Sequence, residues 1–110
     1  MPTLFTKIIN REIPGNIVFE DDHVVAFRDL NPQAPTHVLI VTRAEISGLS
    51  ALPESGDHQY LLNAAKKIAE QERLTGGYRL VINEGPDGGQ TVPHLHAHLL
   101  GGRKLEWPPG

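Results

Sequence analysis

Pro93-His94-Leu95-His96-Ala97-His98-Leu99-Leu100 is the stretch whose reading decides the fold. Three histidines alternate with apolar residues. Successive side chains of a β-strand point to opposite faces. The pattern therefore predicts a strand with His94, His96 and His98 on one face and Leu95, Ala97 and Leu99 on the other. Three imidazoles, each titrating near pH ~6.5 when unperturbed, then form one row over an apolar backing. Such a row has three readings. It can be a solvated edge-strand face, although Ser, Thr or Lys would serve as well there. It can be a metal site, since His-x-His on a strand presents two nitrogens to one ion, with His37 or His23 completing the set. It can be a covalent catalyst, with one histidine as nucleophile and a neighbour as acid or base. The stretch contains no Asp or Glu and the chain no cysteine, which weighs against the metal.

The bulk composition narrows the setting. At 110 residues the chain is one domain, 1–110, large enough for a real core but not for two. Hydrophobic residues at 39% and charged residues at 21% match a globular protein. Net charge is −3 and the Lys and Arg residues are scattered, so no nucleic-acid face is expected. Without cysteine, disulfides and thiolate metal sites are excluded. Apolar runs are only a few residues long, which predicts no membrane span. The N-terminal stretch, with Lys7, Arg11 and Glu12, lacks the apolar core of a secretory signal. The expected location is the cytoplasm.

Outward from the histidines, the elements follow from local chemistry. Leu4, Phe5, Ile8 and Ile9 fall at helical spacing after a capping Thr3. Residues 17–20 and 23–28 read as two strands joined at Asp21-Asp22. Residues 36–41 form an aliphatic central strand in which His37 and Leu39 share a face. Residues 43–53 read as short helical or turn pieces. One long helix runs from about Asp57 to Leu74, with Leu61, Leu62, Ala65, Ile68, Ala69 and Glu72 on its periodic face and edge. Ser55 or Asp57 is its expected N-cap and Gly76-Gly77 its stop. A fourth strand spans 78–83, a glycine-rich loop 84–90 and a fifth strand 91–100. Strands in runs with helices inserted argue for an α+β fold with a largely antiparallel sheet.

Several residues could serve the histidine row. Gly85, Gly88 and Gly89 let backbone N–H groups approach an anion, as phosphate-cradling nests do, or simply form a turn. Thr91 brings a hydroxyl, and Asn83 can donate and accept or cap a turn. His37 is either a buried, hydrogen-bonded residue or part of the site. His23 and His58 read as surface residues. Asp29 can hold a pair of ribose hydroxyls or close an Asx-turn.

The His94–Leu100 stretch resembles the His-φ-His-φ-His-φ-φ signature of the histidine triad (HIT) superfamily, and the chain is similar to its Hint branch of nucleotide-binding proteins. The similarity spans nearly the whole chain. It takes in Phe5-Thr6-Lys7-Ile8-Ile9, Glu12-Ile13-Pro14, Phe27-Arg28-Asp29, Pro32-Gln33-Ala34-Pro35-Thr36-His37, Asn83-Glu84-Gly85, Gly88-Gly89-Gln90, Gly101-Gly102-Arg103 and Trp107-Pro108-Pro109-Gly110. The resemblance implies a five-stranded, mainly antiparallel sheet with one long and one short helix, continued across a homodimer through residues 78–83 and the long helix. It implies a purine nucleoside phosphoramidase acting on adenosine 5′-phosphoramidates, with no metal or cofactor. His96 would be the nucleophile and His98 the phosphate contact and proton source. His94 and His37 would orient the row, paired with each other. Asn83, Gly89, Thr91 and His98 would line the phosphate. Phe5, Ile8, Ile13, Phe27, Asp29 and Leu30 would form the nucleoside pocket, and Trp107 joins the nucleotide-binding set. Thr91 stands where serine is frequent, and Pro93 where tyrosine is common, which removes an N–H from the strand start. The alternatives are a dinucleoside polyphosphate hydrolase of a related branch, a nucleotide-binding regulatory module without turnover, and a metal-binding module.

Overall fold

The computed structural model describes residues 2–110. Five strands form one antiparallel sheet in the order β1-β2-β3-β5-β4. They are β1 (Ile17–Glu20), β2 (Val24–Arg28), β3 (Thr36–Thr42), β4 (Tyr78–Val81) and β5 (His96–Gly101). Helices α1 (Leu4–Ile9) and α2 (His58–Gln71) and a single helical turn, α3 (Gly85–Gly88), complete the fold with a 3-10 turn at Leu49–Ala51. This is the expected α+β architecture. Among the described residues no helix is long and apolar enough to cross a membrane.

The alternation of each strand assigns the two faces. Val24, Ala26, Val38, Ile40, Ala97 and Leu99 point to one side, where Leu61, Ala64, Ala65, Ile68 and Ala69 of α2 cover them. Val25, Phe27, Leu39 and Val41 point to the other, under Phe5 and Ile8 of α1. Register then decides what joins that second face. Leu39 lies opposite His98, and Val41 opposite His96. Partners directly across an antiparallel ladder share a face. So His37, His96 and His98 are gathered on the α1 side.

Local chemistry explains where elements begin and end. The Thr3 hydroxyl accepts the Thr6 N–H at 3.1 Å and caps α1. Asp21 closes the β1–β2 turn without a glycine, because its carboxylate accepts the N–H groups of His23 and Val24 at 2.8 Å each. That bond makes the connection three residues long and starts β2 at Val24. Asp57 occupies the N-cap position of α2 without a side-chain cap. The helix stops at Gln71, earlier than expected, because Arg73 turns into the left-handed region at φ 58°. Leu62, expected on the apolar face, is 47% exposed, while Ala64 is buried in its place. The helix axis is rotated so that the two small alanines, 64 and 65, approach the sheet. Strand β4 is shorter than expected, leaving Asn83 beyond it. The fifth strand starts at His96, not Thr91. Pro93 has no N–H to give a ladder, and Leu95 N–H donates instead to the Ile46 carbonyl at 2.6 Å, outside the sheet.

Candidate active site

The three histidines of the signature are not equivalent. His94, ahead of the strand, is fully buried with both ring nitrogens engaged. Its Nε2 lies 2.6 Å from the Thr42 carbonyl and its Nδ1 2.6 Å from the Thr3 hydroxyl. A carbonyl only accepts, so Nε2 carries the proton and Nδ1 accepts from Thr3. The Thr3–Thr6 end of α1 is held in turn by Glu45, whose carboxylate accepts the Thr3 N–H at 3.0 Å and the Thr6 hydroxyl at 2.5 Å. That makes His94 a fixed strut. The expected pairing of His94 with His37 is not formed, because Thr3 and Thr42 take both nitrogens.

His94 acts on His96 through its backbone. The His96 Nδ1 is 2.6 Å from the His94 carbonyl and must donate to it. In the neutral ring the proton is then on Nδ1, and Nε2 is left with a free lone pair. Phe5 packs edge-on against this ring with centroids 4.8 Å apart. Burial holds the His96 pKa below its usual value, opposed by the His94 carbonyl. The ring is neutral at neutral pH.

His37 and His98 form the second half. Gln33 N–H donates to His37 Nδ1 at 3.0 Å, so His37 carries its proton on Nε2. That proton faces His98 Nδ1 at 2.9 Å, with Asp29 Oδ2 at 3.4 Å beside it. His98 therefore accepts at Nδ1 and keeps its own proton on Nε2. Burial, then the neighbouring His96 and His37, pushes the His98 pKa down to about 4. Burial also lowers the pKa of His37, against the pull of Asp29. The result is a row of neutral imidazoles with opposite polarity: a lone pair at His96 Nε2 and an N–H at His98 Nε2. Among the described residues no buried side-chain nitrogen or oxygen lacks a hydrogen-bond partner.

Next to this pair lies an apolar cavity of about 190 Å³. Five of the six residues expected around a nucleoside, Phe5, Ile8, Phe27, Asp29 and Leu30, line it. The sixth, Ile13, lines an adjoining cavity of about 460 Å³ with Pro14 and Gly15. Asp29 is both of the things its sequence position allowed. Its Oδ1 closes an Asx-turn on the Asn31 N–H at 2.8 Å, and its Oδ2 faces the site.

Of the two readings of the glycine-rich segment, an anion-cradling nest and a simple turn, the structure forms the turn. It is a helical turn, in which Gly89 N–H donates to the Pro86 carbonyl at 3.1 Å and Gln90 N–H to the Gly85 carbonyl at 3.0 Å. Gln90 Oε1 also accepts the Gly85 N–H at 3.0 Å. These amides are satisfied within the chain. Thr91, exposed, lines a cavity of about 370 Å³ with Ser47, Gln90 and Pro93, and Asn83 lies half-buried at the segment's start. Trp107 is 80% exposed and sits 6.0 Å from the Arg79 guanidinium on β4. Three strand spacings, about 14 Å, separate that edge from β2, and Trp107 does not line the apolar cavity.

One group of donor atoms converges as a metal site would. Asp29, His37 and His98 offer ligand atoms within 4.8 Å of one another. A cation there needs lone pairs on both His37 Nε2 and His98 Nδ1. Gln33 forces a proton onto the first, so the donor set is built for proton sharing. Gln33 and Thr3 are the residues that sequence reasoning missed as site components. A main-chain N–H has no residue-type signature, and Thr3 was legible only as a helix cap.

Comparison with known proteins bears on the same features. The HIT domain family model matches residues 10–105. The chain is 54% identical over 114 residues to a 14 kDa zinc-binding protein of Zea mays, covering 99% of this chain and 88% of that protein. It is 49% identical over 114 residues to adenylylsulfatase HINT1 of Arabidopsis thaliana, covering 99% and 77%. A HIT family hydrolase from Legionella pneumophila Philadelphia 1 has the same fold, with TM-score 0.91, 50% identity, and 97% and 98% of the two chains covered. The alternating histidines, the antiparallel sheet that aligns them and the match over residues 10–105 make this chain a member of the HIT domain family, on its Hint-like branch.

Proposed function

We propose that the protein is a nucleotide hydrolase that cleaves the P–N bond of purine nucleoside phosphoramidates, adenosine 5′-phosphoramidates in particular, through a nucleotidyl-histidine intermediate. The observation that carries this reading is the opposed polarity of His96 and His98, set by the His94 carbonyl at 2.6 Å and the His37 Nε2 at 2.9 Å. His96 Nε2 attacks the α-phosphorus and the P–N bond breaks. The departing nitrogen takes the proton held at His98 Nε2. Water then attacks the phosphorus, the P–Nε2 bond breaks, AMP leaves and the water's proton restores His98. Splitting one hydrolysis into two displacements is what a histidine nucleophile supplies. The cavity beside Phe5, Phe27 and Leu30 takes the base, and Asp29 Oδ2 takes the ribose. Asn83 and Thr91 supply polar contacts toward the phosphate.

Relatives named for zinc binding and for adenylylsulfatase activity define the controls. A zinc ion at Asp29, His37 and His98 would have to displace the proton shared across the 2.9 Å His37 Nε2–His98 Nδ1 contact. Adenylyl sulfate separates the roles of the histidines. Sulfate is a weakly basic leaving group that departs without a proton, whereas an amine needs one. The outer edge of β4 ends the sheet, and Leu62 stands exposed on α2. A second copy docking there would continue the sheet in a homodimer, which sedimentation equilibrium tests.

The decisive experiment is rapid-quench turnover of adenosine phosphoramidate with trapping of the nucleotidylated protein. Wild type accumulates a covalent nucleotide and His96→Ala does not, with turnover at least 10³-fold lower. His98→Gln lowers turnover of the phosphoramidate more than that of adenylyl sulfate. Full activity in His96→Ala sinks the reading. Tight AMP binding without turnover by wild type establishes the non-catalytic module instead.

A further inference from the structure

A hydrogen-bonded pair of neutral imidazoles can be arranged in two ways. If His37 donates to His98 across their 2.9 Å contact, His98 keeps a proton on Nε2. If His98 donates from Nδ1, its Nε2 presents a lone pair and has nothing to give a leaving group. The two arrangements make the same bond between the rings, so the choice is made outside the pair. The groups facing it are Asp29, with Oδ2 3.4 Å from His37 Nε2, the His96 ring, 5.1 Å from that of His98, and the main-chain N–H of Gln33. Asp29 and Gln33 favour the first arrangement. Gln33 does so most directly, because its N–H at 3.0 Å requires His37 Nδ1 to accept.

Gln33 lies in the irregular segment between β2 and β3, so its N–H needs an anchor. Its side chain donates to the Asn31 carbonyl at 3.0 Å, a contact within the same segment. The only side chain donating to it from elsewhere, among the described residues, is Arg103, whose Nη2 donates to the Gln33 carbonyl at 2.8 Å. Arg103 is itself steadied by the Lys104 carbonyl at 3.1 Å. Gly102 brings the two strands of chain together. Its φ is +91°, and a Cβ there would lie 2.9 Å from Pro35.

We propose that Arg103 is a positioning residue for the His37–His98 pair: by anchoring Gln33 it selects the arrangement in which His98 bears its proton on Nε2. The effect on turnover rests on the phosphoramidase reading above. The effect on proton position does not, and it is measured separately.

The test is two-bond 1H–15N correlation spectroscopy on the full chain labelled at histidine, with turnover of adenosine phosphoramidate across pH. In wild type His37 and His98 both show the Nε2–H pattern. In Arg103→Met, His98 becomes a mixture of both tautomers, because the His37–His98 bond can reverse. With reversal allowed, His98 can also accept a proton and still donate to His37, so the midpoint of its own 15N titration moves up toward pH ~6.5. We expect kcat to fall about tenfold with KM unchanged. Arg103→Lys, which restores a donor to the Gln33 carbonyl, recovers most of both readouts, and Lys104→Met behaves as wild type. Gln33→Pro removes the N–H itself and produces the same mixture of tautomers. The proposal is overturned if Arg103→Met leaves the nitrogen pattern of His37 and His98 unchanged, even if thermal stability falls, or if Gln33→Pro does. Absence of phosphoramidate turnover by wild type would refute the functional reading alone, since the nitrogen pattern still decides the role of Arg103.

Discussion

Acid should unfold this protein through its buried histidine cluster, and His98 shows how strongly. The folded state holds the His98 pKa at about 4, against 6.5 for an unperturbed ring. Above pH 6.5 both folded and unfolded chains leave it neutral. As the pH falls below 6.5 the unfolded chain binds a proton that the folded chain refuses until about pH 4, so stability is lost across that window. Between pH 7 and pH 4.5 the linkage amounts to about 2 kcal/mol for His98 alone, with allowance for its partial exposure to solvent. His37 and His96, also lowered by burial, add to the loss in wild type. His98→Gln removes the titrating ring while keeping an acceptor for His37 Nε2–H. The assay is urea unfolding followed by circular dichroism at half-unit steps of pH. With a slope of ~1–2 kcal/mol per molar urea for a domain of this size, the wild-type midpoint should drop about 1–2 M further than that of His98→Gln between pH 7 and pH 4.5. Parallel stability profiles for the two proteins would refute the argument. They would mean that His98 titrates alike in the folded and unfolded chains and is not kept neutral by its surroundings.

Other outcomes follow from the same geometry. Thr3→Val removes both the α1 cap and the 2.6 Å bond to buried His94, and should cost about 2 kcal/mol in unfolding free energy; an unchanged melting temperature counts against the strut role of His94. Leu30, 94% exposed at the lip of the apolar cavity, should tolerate Leu30→Ser with no loss of stability while KM for an adenosine substrate rises about fivefold; an unchanged KM would place the base elsewhere. Gly102→Ala must hold a Cβ at φ +91° against Pro35, and should destabilise by about 1–3 kcal/mol in chemical denaturation. Equal stability there would mean that the turn rearranges freely.

The reading of the fold depended most on features written into short stretches. Alternation in 93–100 and 36–41, the helical spacing of Leu61, Ala65, Ile68 and Ala69, and glycines at the breaks sufficed for the α+β architecture and the antiparallel sheet. These follow from periods of 2 and 3.6 residues, which are local properties of the backbone. Element ends were less legible. Pro93 marked an irregular strand start, but only the bond from Leu95 to the Ile46 carbonyl explains why β5 waits for His96. The rotation of α2 that buries Ala64 and exposes Leu62 depends on what the sheet presents opposite.

The histidines divide along the same line. Their alternation alone placed them on one face and made imidazole chemistry the centre of the molecule. It could not rank the rings, because the three share one residue type, and the ranking comes with family resemblance. Tertiary structure decided the proton positions. His96 takes its tautomer from a backbone carbonyl, His98 from His37 across the β3–β5 ladder, and His37 from the main-chain N–H of Gln33. Carbonyls and amides are present at every residue and carry no identity in a sequence. Which of them meets an imidazole is settled only when strands 60 residues apart are brought into register.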